Sequence, residues 1–178
     1  DTRRELNHKV RGIKGMKSSL PEEGDKLISL YNNWNLFISG DLKESTGSRE
    51  VSLVNGMIGY CVNPIRSVDN ERGRFRMDFR PKFFESSYFR NILVSMSEFY
   101  GKEDDKSRLY REKEFPNQFD FGYAVSTHKA QGSQWGKVLL INEPFKSYSF
   151  SQQKKWLYTA ITRAEDRLII ATDRALYG

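Results

Sequence analysis

Two short stretches of this 178-residue chain gather residue types that do chemistry together. In the first, Ala124-Val125-Ser126-Thr127-His128-Lys129-Ala130-Gln131-Gly132-Ser133-Gln134-Trp135, an apolar start feeds hydroxyl, imidazole, ammonium and amide groups onto a glycine-containing loop. Open α/β sheets place ligands at such loops, beyond the carboxyl ends of their strands. Gly132 permits backbone to approach a phosphate closely. The Thr127 hydroxyl and its adjoining amide suit phosphate contacts that position a strand of nucleic acid without reading its bases. A plain structural turn is the competing reading. In the second stretch, Trp156-Leu157-Tyr158-Thr159-Ala160-Ile161-Thr162-Arg163-Ala164, an amphipathic helix ends at Arg163, with Glu165, Asp166 and Arg167 following. Such an arginine either caps its own helix or pairs with Glu165 or Asp166. Its sharper role is to reach a γ-phosphate bound elsewhere and neutralise charge in the transition state, which is worth about 10³–10⁵ in rate.

Strands and helices must hold these groups in place. Tyr123-Ala124-Val125-Ser126 reads as the strand entering the first loop, while Val138-Leu139-Leu140-Ile141 and Leu168-Ile169-Ile170-Ala171 read as short buried strands. Trp156, Leu157, Ala160 and Ile161 fall at helical spacing, on a helix starting near Ser151. Continuous apolar strands separated by helices predict a parallel sheet covered on both faces. Upstream the texture changes. Leu6, Val10 and Ile13 recur at helical spacing, in a helix that Gly12 and Gly15 bring to an end. Leu27-Ile28-Ser29-Leu30-Tyr31 and Phe75-Arg76-Met77-Asp78-Phe79 are strand candidates. Residues 51–54 and 57–62 flank Asn55-Gly56, the signature of a type I′ hairpin turn. Several short strands spaced by Gly, Asn and Pro predict a small barrel. Residues 43–49 read as a polar loop and 101–114 as a solvated charged stretch.

Composition narrows the classes. The net charge of +6 permits a polyanionic partner without requiring one. The single cysteine, Cys61, excludes an intrachain disulfide and a multi-cysteine zinc site, and its apolar surroundings read as those of a buried structural thiol. His8 and His128 are too few and too far apart to suggest a metal centre. No apolar run approaches the roughly 18 residues that span a bilayer, and the polar opening residues carry no signal-peptide pattern. A cytoplasmic chain without a membrane partner is expected. Trp34, Tyr60 and Phe75 offer ring faces for bases, but packing is the expected fate of each.

Together the two stretches resemble motifs V and VI of superfamily 1 helicases. The strings THKAQGSQW and LYTAITRAEDRLII are most similar to the RecD/Dda branch, exodeoxyribonuclease V alpha-like proteins with a UvrD-like carboxy-terminal lobe. Arg3-Arg4-Glu5-Leu6-Asn7 resembles the helix after the motif IV strand. Gly24-Asp25-Lys26, Asn32-Asn33 and residues 53–59 resemble the SH3-like barrel inserted in that branch. The resemblance is strong over residues 121–172 and loose elsewhere, and residues 80–114 carry none of it. It implies an α/β fold: a RecA-like, P-loop NTPase-type parallel-sheet lobe from residues 1–20 and 100–178, with an SH3-like β-barrel inserted over 21–99. Arg163 would be the arginine finger. Gln131, Gly132 and Gln134 would face the nucleotide, although the family often has glutamate where Gln134 stands. Thr127 and His128 would sit between nucleotide cleft and DNA track, with Lys129 reaching DNA or solvent. Arg3 or Arg4 would be a second γ-phosphate sensor. The implied partners are single-stranded DNA, the amino-terminal RecA-like lobe and RecB/RecC-like subunits, in a bacterial or phage protein moving 5′ to 3′.

A phosphate-cradling loop needs Gly-x-x-x-x-Gly-Lys and then Ser or Thr. The nearest string, residues 12–19, lacks the Gly-Lys pair, and Asp104-Asp105 follows Lys102 and Glu103 where a magnesium-binding motif needs an apolar strand. ATP and Mg²⁺ are therefore expected mainly on another lobe, and this chain, whose opening helix has no strand before it, is expected to be one part of a longer motor, inactive alone. Two alternatives stay open: a non-catalytic nucleic-acid-binding module, and an RNA helicase lobe of the same superfamily.

Overall fold

A computed structural model describes residues 2–39, 50–101, 115–142 and 147–172. The polar loop expected over 43–49, and the charged stretch beyond Gly101 with Asp104-Asp105, lie outside the described residues. The chain divides into two compact units, residues 1–124 and 125–178.

In the first unit, helix α1 (Thr2–Ile13) is followed by strands β1 (Lys26–Ser29), β2 (Asn33–Ser39), β3 (Glu50–Leu53), β4 (Ile58–Cys61), β5 (Arg66–Asp69), β6 (Arg74–Pro81) and β7 (Phe89–Ser95). A short helix α2 (Ser97–Tyr100) and strand β8 (Phe119–Phe121) complete it. Six strands form one antiparallel sheet in the order β5-β6-β4-β1-β8, with β7 on the other edge of β6. Strand β6 explains itself by its alternation. Phe75, Met77 and Phe79 point to one face and are fully buried, while Arg74, Arg76 and Arg80 take the other. Phe79 meets Phe119 edge-on at 4.8 Å between ring centroids, and Phe99 meets Phe121 at 5.0 Å. Leu27, Cys61, Phe89 and Val94 close this core.

Two bulges shape the sheet. β7 carries one extra residue against β6 between Phe89 and Ile92, and β5 carries one between Arg66 and Asp69. Each holds a residue at positive φ, Asn91 at 52° and Ser67 at 49°. The Asn91 bulge turns its N–H onto the buried Asp78 carboxylate at 2.7 Å, where Asn63 (2.7 Å) and Arg66 (2.5 Å) also donate. Burial alone would raise the pKa of Asp78. The bonds from Asn91 and Asn63 and the charge of Arg66 outweigh it and hold the carboxyl below its usual range.

Helix α1 forms where its spacing predicts, but its buried stripe is polar. Asn7 and Arg11 are buried, whereas Ile13 is exposed. Arg3 pairs with Asp120, and Asn7 both donates to the Ala124 carbonyl (3.0 Å) and accepts from its N–H (2.7 Å). Arg11 grips Asp25 with Nε and Nη2 (2.9 and 2.8 Å) and lies 4.0 Å from the centroid of the Phe121 ring. Removing one partner of such a pair strands the other charge in the core, typically at a cost of about 3–5 kcal/mol.

Two expectations are corrected here. Asn55-Gly56 does turn the chain, yet only Gly56 has positive φ (84°), whereas a type I′ turn needs it at both positions. The flanking strands therefore diverge: β3 pairs with β2 in a separate two-stranded sheet, and β4 pairs with β1 and β6. Residues Tyr123 to Ser126 are not a strand; the strand lies earlier, at β8, and runs antiparallel to β1. No sheet among the described residues closes into the expected SH3-like barrel. The β7 and β8 ends of the sheet meet at one isolated bridge, Val94 to Asn117, short of a continuous ladder.

The second unit contains β9 (Trp135–Asn142), α3 (Phe150–Ile161) and β10 (Ala164–Thr172). β9 and β10 pair in parallel from Ala164/Trp135 to Thr172/Asn142, as their apolar runs predict, but Leu139 and Ile169 are exposed, so the strands are not covered on both faces as expected. This is the one parallel ladder among the described residues, so a full RecA-like parallel sheet is not seen. The helix starts at Phe150, so its cap lies two residues before the Ser151 expected for it. Ser149 is its cap, its side chain accepting from the Gln152 N–H while the Gln152 side chain accepts from the Ser149 N–H.

Candidate nucleotide and nucleic-acid site

The loop between residues 126 and 134 is a run of tight turns. Ala130 donates its N–H to the Ser126 carbonyl (3.0 Å) and Ser133 to the Ala130 carbonyl (3.1 Å). Gly132 sits at φ 84°, and a Cβ there would meet no atom within 4 Å. It is glycine because of its left-handed backbone, and the space beside it is open. The loop delivers the chain to β9 through a bond from the Trp135 N–H to the Arg163 carbonyl at 2.9 Å.

Arg163 follows Thr162, the C-cap of α3, and is half-buried. Its guanidinium donates to the Thr159 carbonyl (Nε, 3.1 Å), the Ser133 carbonyl (Nη1, 3.1 Å) and the Thr162 hydroxyl (Nη2, 3.1 Å). The helix end carries the negative pole of the backbone dipoles, which favours a cation there. One side chain thus laces the end of α3 to the loop. Neither Glu165 nor Asp166 is its partner.

The structure brings some of the expected residues together and leaves others apart. Gly132 and Gln134 flank Ser133, the loop residue that Arg163 grips, and the Gln134 amide lies 3.5 Å from the Thr162 carbonyl. Gln131 is exposed on the same loop. Thr127 is half-buried; His128 is exposed, with Nε2 at 3.4 Å from the Tyr148 hydroxyl. The Lys129 N–H reaches the Ser126 hydroxyl at 3.4 Å. Arg3 and Arg4 are engaged inside the first unit, Arg3 by Asp120 and Arg4 by the Glu98 carbonyl (3.2 Å). Ser133, Thr159 and Tyr148 did not stand out in the sequence; the spacing of four between Thr159 and Arg163 was the available signal.

The remaining candidates resolve simply. Cys61 is buried and donates to the Asn63 carbonyl at 3.1 Å; burial first, and then the charge of Asp25, pushes its pKa up to about 12, so it is no nucleophile at neutral pH. Phe75 lies in the core, Tyr60 is half-buried, and Trp34 is 67% exposed, contrary to the packing expected of it. No helix among the described residues is long and apolar enough to cross a membrane.

The loop–strand–helix–strand arrangement around Arg163 coincides with a known family. Residues 121–171 match the UvrD-like helicase C-terminal domain. Two curated relatives are similar to parts of the chain. The chain is 42% identical over 50 residues to the ATP-dependent RecD2 DNA helicase of Deinococcus radiodurans, covering 28% of this chain and 7% of that protein. It is 26% identical over 152 residues to the uncharacterized protein MJ1519 of Methanocaldococcus jannaschii, covering 85% of this chain and 11% of that one. The chain thus spans about a tenth of the length of these relatives. These similarities support a UvrD-like helicase C-terminal domain over residues 121–171.

Proposed function

We propose that this chain is the carboxy-terminal lobe of an ATP-dependent DNA helicase of the RecD/Dda branch, in which Arg163 is the arginine finger. In this reading residues 1–20 and 100–178 contribute a RecA-like lobe, and 21–99 an SH3-like insert. Gln131, Gly132 and Gln134 face ATP held by the amino-terminal lobe, and Thr127, His128 and Lys129 belong to the single-strand track. Arg3 and Arg4 would have to exchange their present partners to sense phosphate. In this reading Mg²⁺ is held with ATP mainly by the amino-terminal lobe.

The observation that carries the reading is the bond between Arg163 and Ser133, because it joins the two helicase-like motifs at one guanidinium. All three acceptors of that guanidinium are neutral oxygens. A γ-phosphate would instead offer ionised oxygens, which a guanidinium can meet with two parallel bonds. Closure of the two lobes on ATP and reopening after hydrolysis would shift DNA along the track.

The same three bonds favour a second reading, in which Arg163 is only a brace within a nucleic-acid-binding module. Replacing Arg163 by lysine and by alanine in the full-length protein separates the two. A finger predicts that single-strand-stimulated hydrolysis collapses in both variants while the folded fraction holds. A brace predicts a lower melting temperature with hydrolysis per folded molecule unchanged. Matched single-stranded DNA and RNA as stimulants then distinguish a DNA motor from an RNA motor.

A further inference from the structure

We propose that the outer face of the first unit's sheet binds single-stranded nucleic acid at a patch built from Lys26, Tyr60, Arg80, Lys82, Lys14 and Phe83. The register puts Lys26 of β1 opposite Tyr60 of β4, and Tyr60 opposite Arg80 of β6, so the three form one cross-strand rank about 4.8 Å apart per strand. The neighbouring positions Leu27, Cys61 and Phe79 are buried core, which places this rank on the opposite face; there Ile28 and Asp78 are buried as well, and Lys26, Tyr60 and Arg80 are half-buried. Lys82 follows two residues after Arg80, tied to β4 by its N–H on the Ile58 carbonyl at 2.9 Å.

Among the described residues none of Lys14, Lys26, Arg80 and Lys82 has an ion pair, whereas Arg3, Arg11, Arg66 and Arg72 all do. Lys26 registers the crowding: burial first, and then the charges of Lys82 and Lys14, depress its pKa. Half-buried like charges repel one another, and a polyanion laid across them reverses the sign of that interaction.

Aromatic rings interleave the cations. The Lys14 ammonium lies 5.8 Å from the Tyr123 ring centroid and that of Lys82 5.6 Å from the Phe83 ring. Phe83 is 89% exposed, and Tyr60 sits between two cations of the rank. Exposed rings beside a basic track suit unpaired bases, which offer a stacking face that duplex hides. This proposal requires neither ATP nor Arg163.

The test is binding of a fluorescent dT20 oligonucleotide to the 178-residue chain by anisotropy, without nucleotide, across a salt series. Replacing Lys26 and Lys82 together by glutamine is expected to weaken binding at least tenfold and to flatten the logarithmic salt slope by about 1.4, at roughly 0.7 per phosphate contact. Phe83→Ala, at an exposed site where folding is safe, is expected to weaken it roughly tenfold and to leave the slope unchanged. Unaltered affinity and slope in the lysine variant, confirmed as folded by its melting curve, overturns the proposal. Equal affinity for duplex with a neutral Phe83→Ala overturns the single-strand assignment, and competition by polyglutamate as effective as that by dT20 overturns nucleic acid as the partner. A loss confined to Lys129→Gln also overturns it while leaving the helicase reading standing.

Discussion

The two units use their hydrophobic residues in opposite ways. In the first, Phe75, Phe79, Phe89, Phe119 and Phe121 are almost entirely buried in a core that also holds Leu27, Met77 and Val94. In the second, Leu140, Ala130 and Ala160 are the buried apolar residues among those described, while Leu139, Ile169, Tyr158 and Phe150 are more than half exposed. β9 and β10 have apolar residues on both faces, and Leu139 and Ile169, paired in register, lie bare on one of them. Geometry in the second unit therefore rests on directional bonds: the parallel ladder, the Ser149–Gln152 box and the Arg163 lacing. Elements held by few buried contacts are those that open and rearrange most readily. That is the property a nucleotide-responsive arginine needs.

The contrast can be broken at its strong end first. Phe79→Ala removes a ring from the middle of the aromatic core, and a loss of about 3–5 kcal/mol is expected in chemical denaturation of the chain. A loss near 1 kcal/mol would mean that the first unit is no better packed than the second.

A smaller effect comes from pH. Asp78 has a depressed pKa in the folded state, so its stabilisation is present above the unfolded carboxylate value of roughly 3.9 and is lost as pH falls through the folded value. Asp78→Asn should lower stability at neutral pH and shrink the difference between neutral and strongly acidic conditions in melting experiments. An identical acid profile in parent and variant would remove Asp78 from the account.

The smallest effect is expected on the bare face. Leu139→Thr and Ile169→Thr keep β-branched or strand-compatible side chains at exposed sites, and each should change stability by no more than about 0.5 kcal/mol. A cost above about 2 kcal/mol for either would show that the face is covered in solution.

What the sequence made legible follows the same division. The parallel pair was readable because uninterrupted apolar runs such as Val138-Leu139-Leu140-Ile141 have few other fates. The position of Arg163 at the helix end was readable from spacing, but its hold on Ser133 was not, since thirty residues separate them. Helix α1 was readable as a helix, yet its buried stripe was not, because apolar periodicity is blind to Arg3, Asn7 and Arg11 finding polar partners. The Asn55-Gly56 signal misled for a similar reason: it specifies a turn, and the partners of the flanking strands are chosen by the rest of the sheet.

The central claim rests on the guanidinium of Arg163 leaving its neutral acceptors for phosphate. Single-turnover ATP hydrolysis by the full-length protein with Arg163→Ala, at saturating single-stranded DNA and after matching folded fractions, addresses it most directly. The account predicts a rate reduced by about 10³–10⁵ with DNA affinity retained. A rate within a few-fold of the parent would contradict it and leave Arg163 as a brace for the loop.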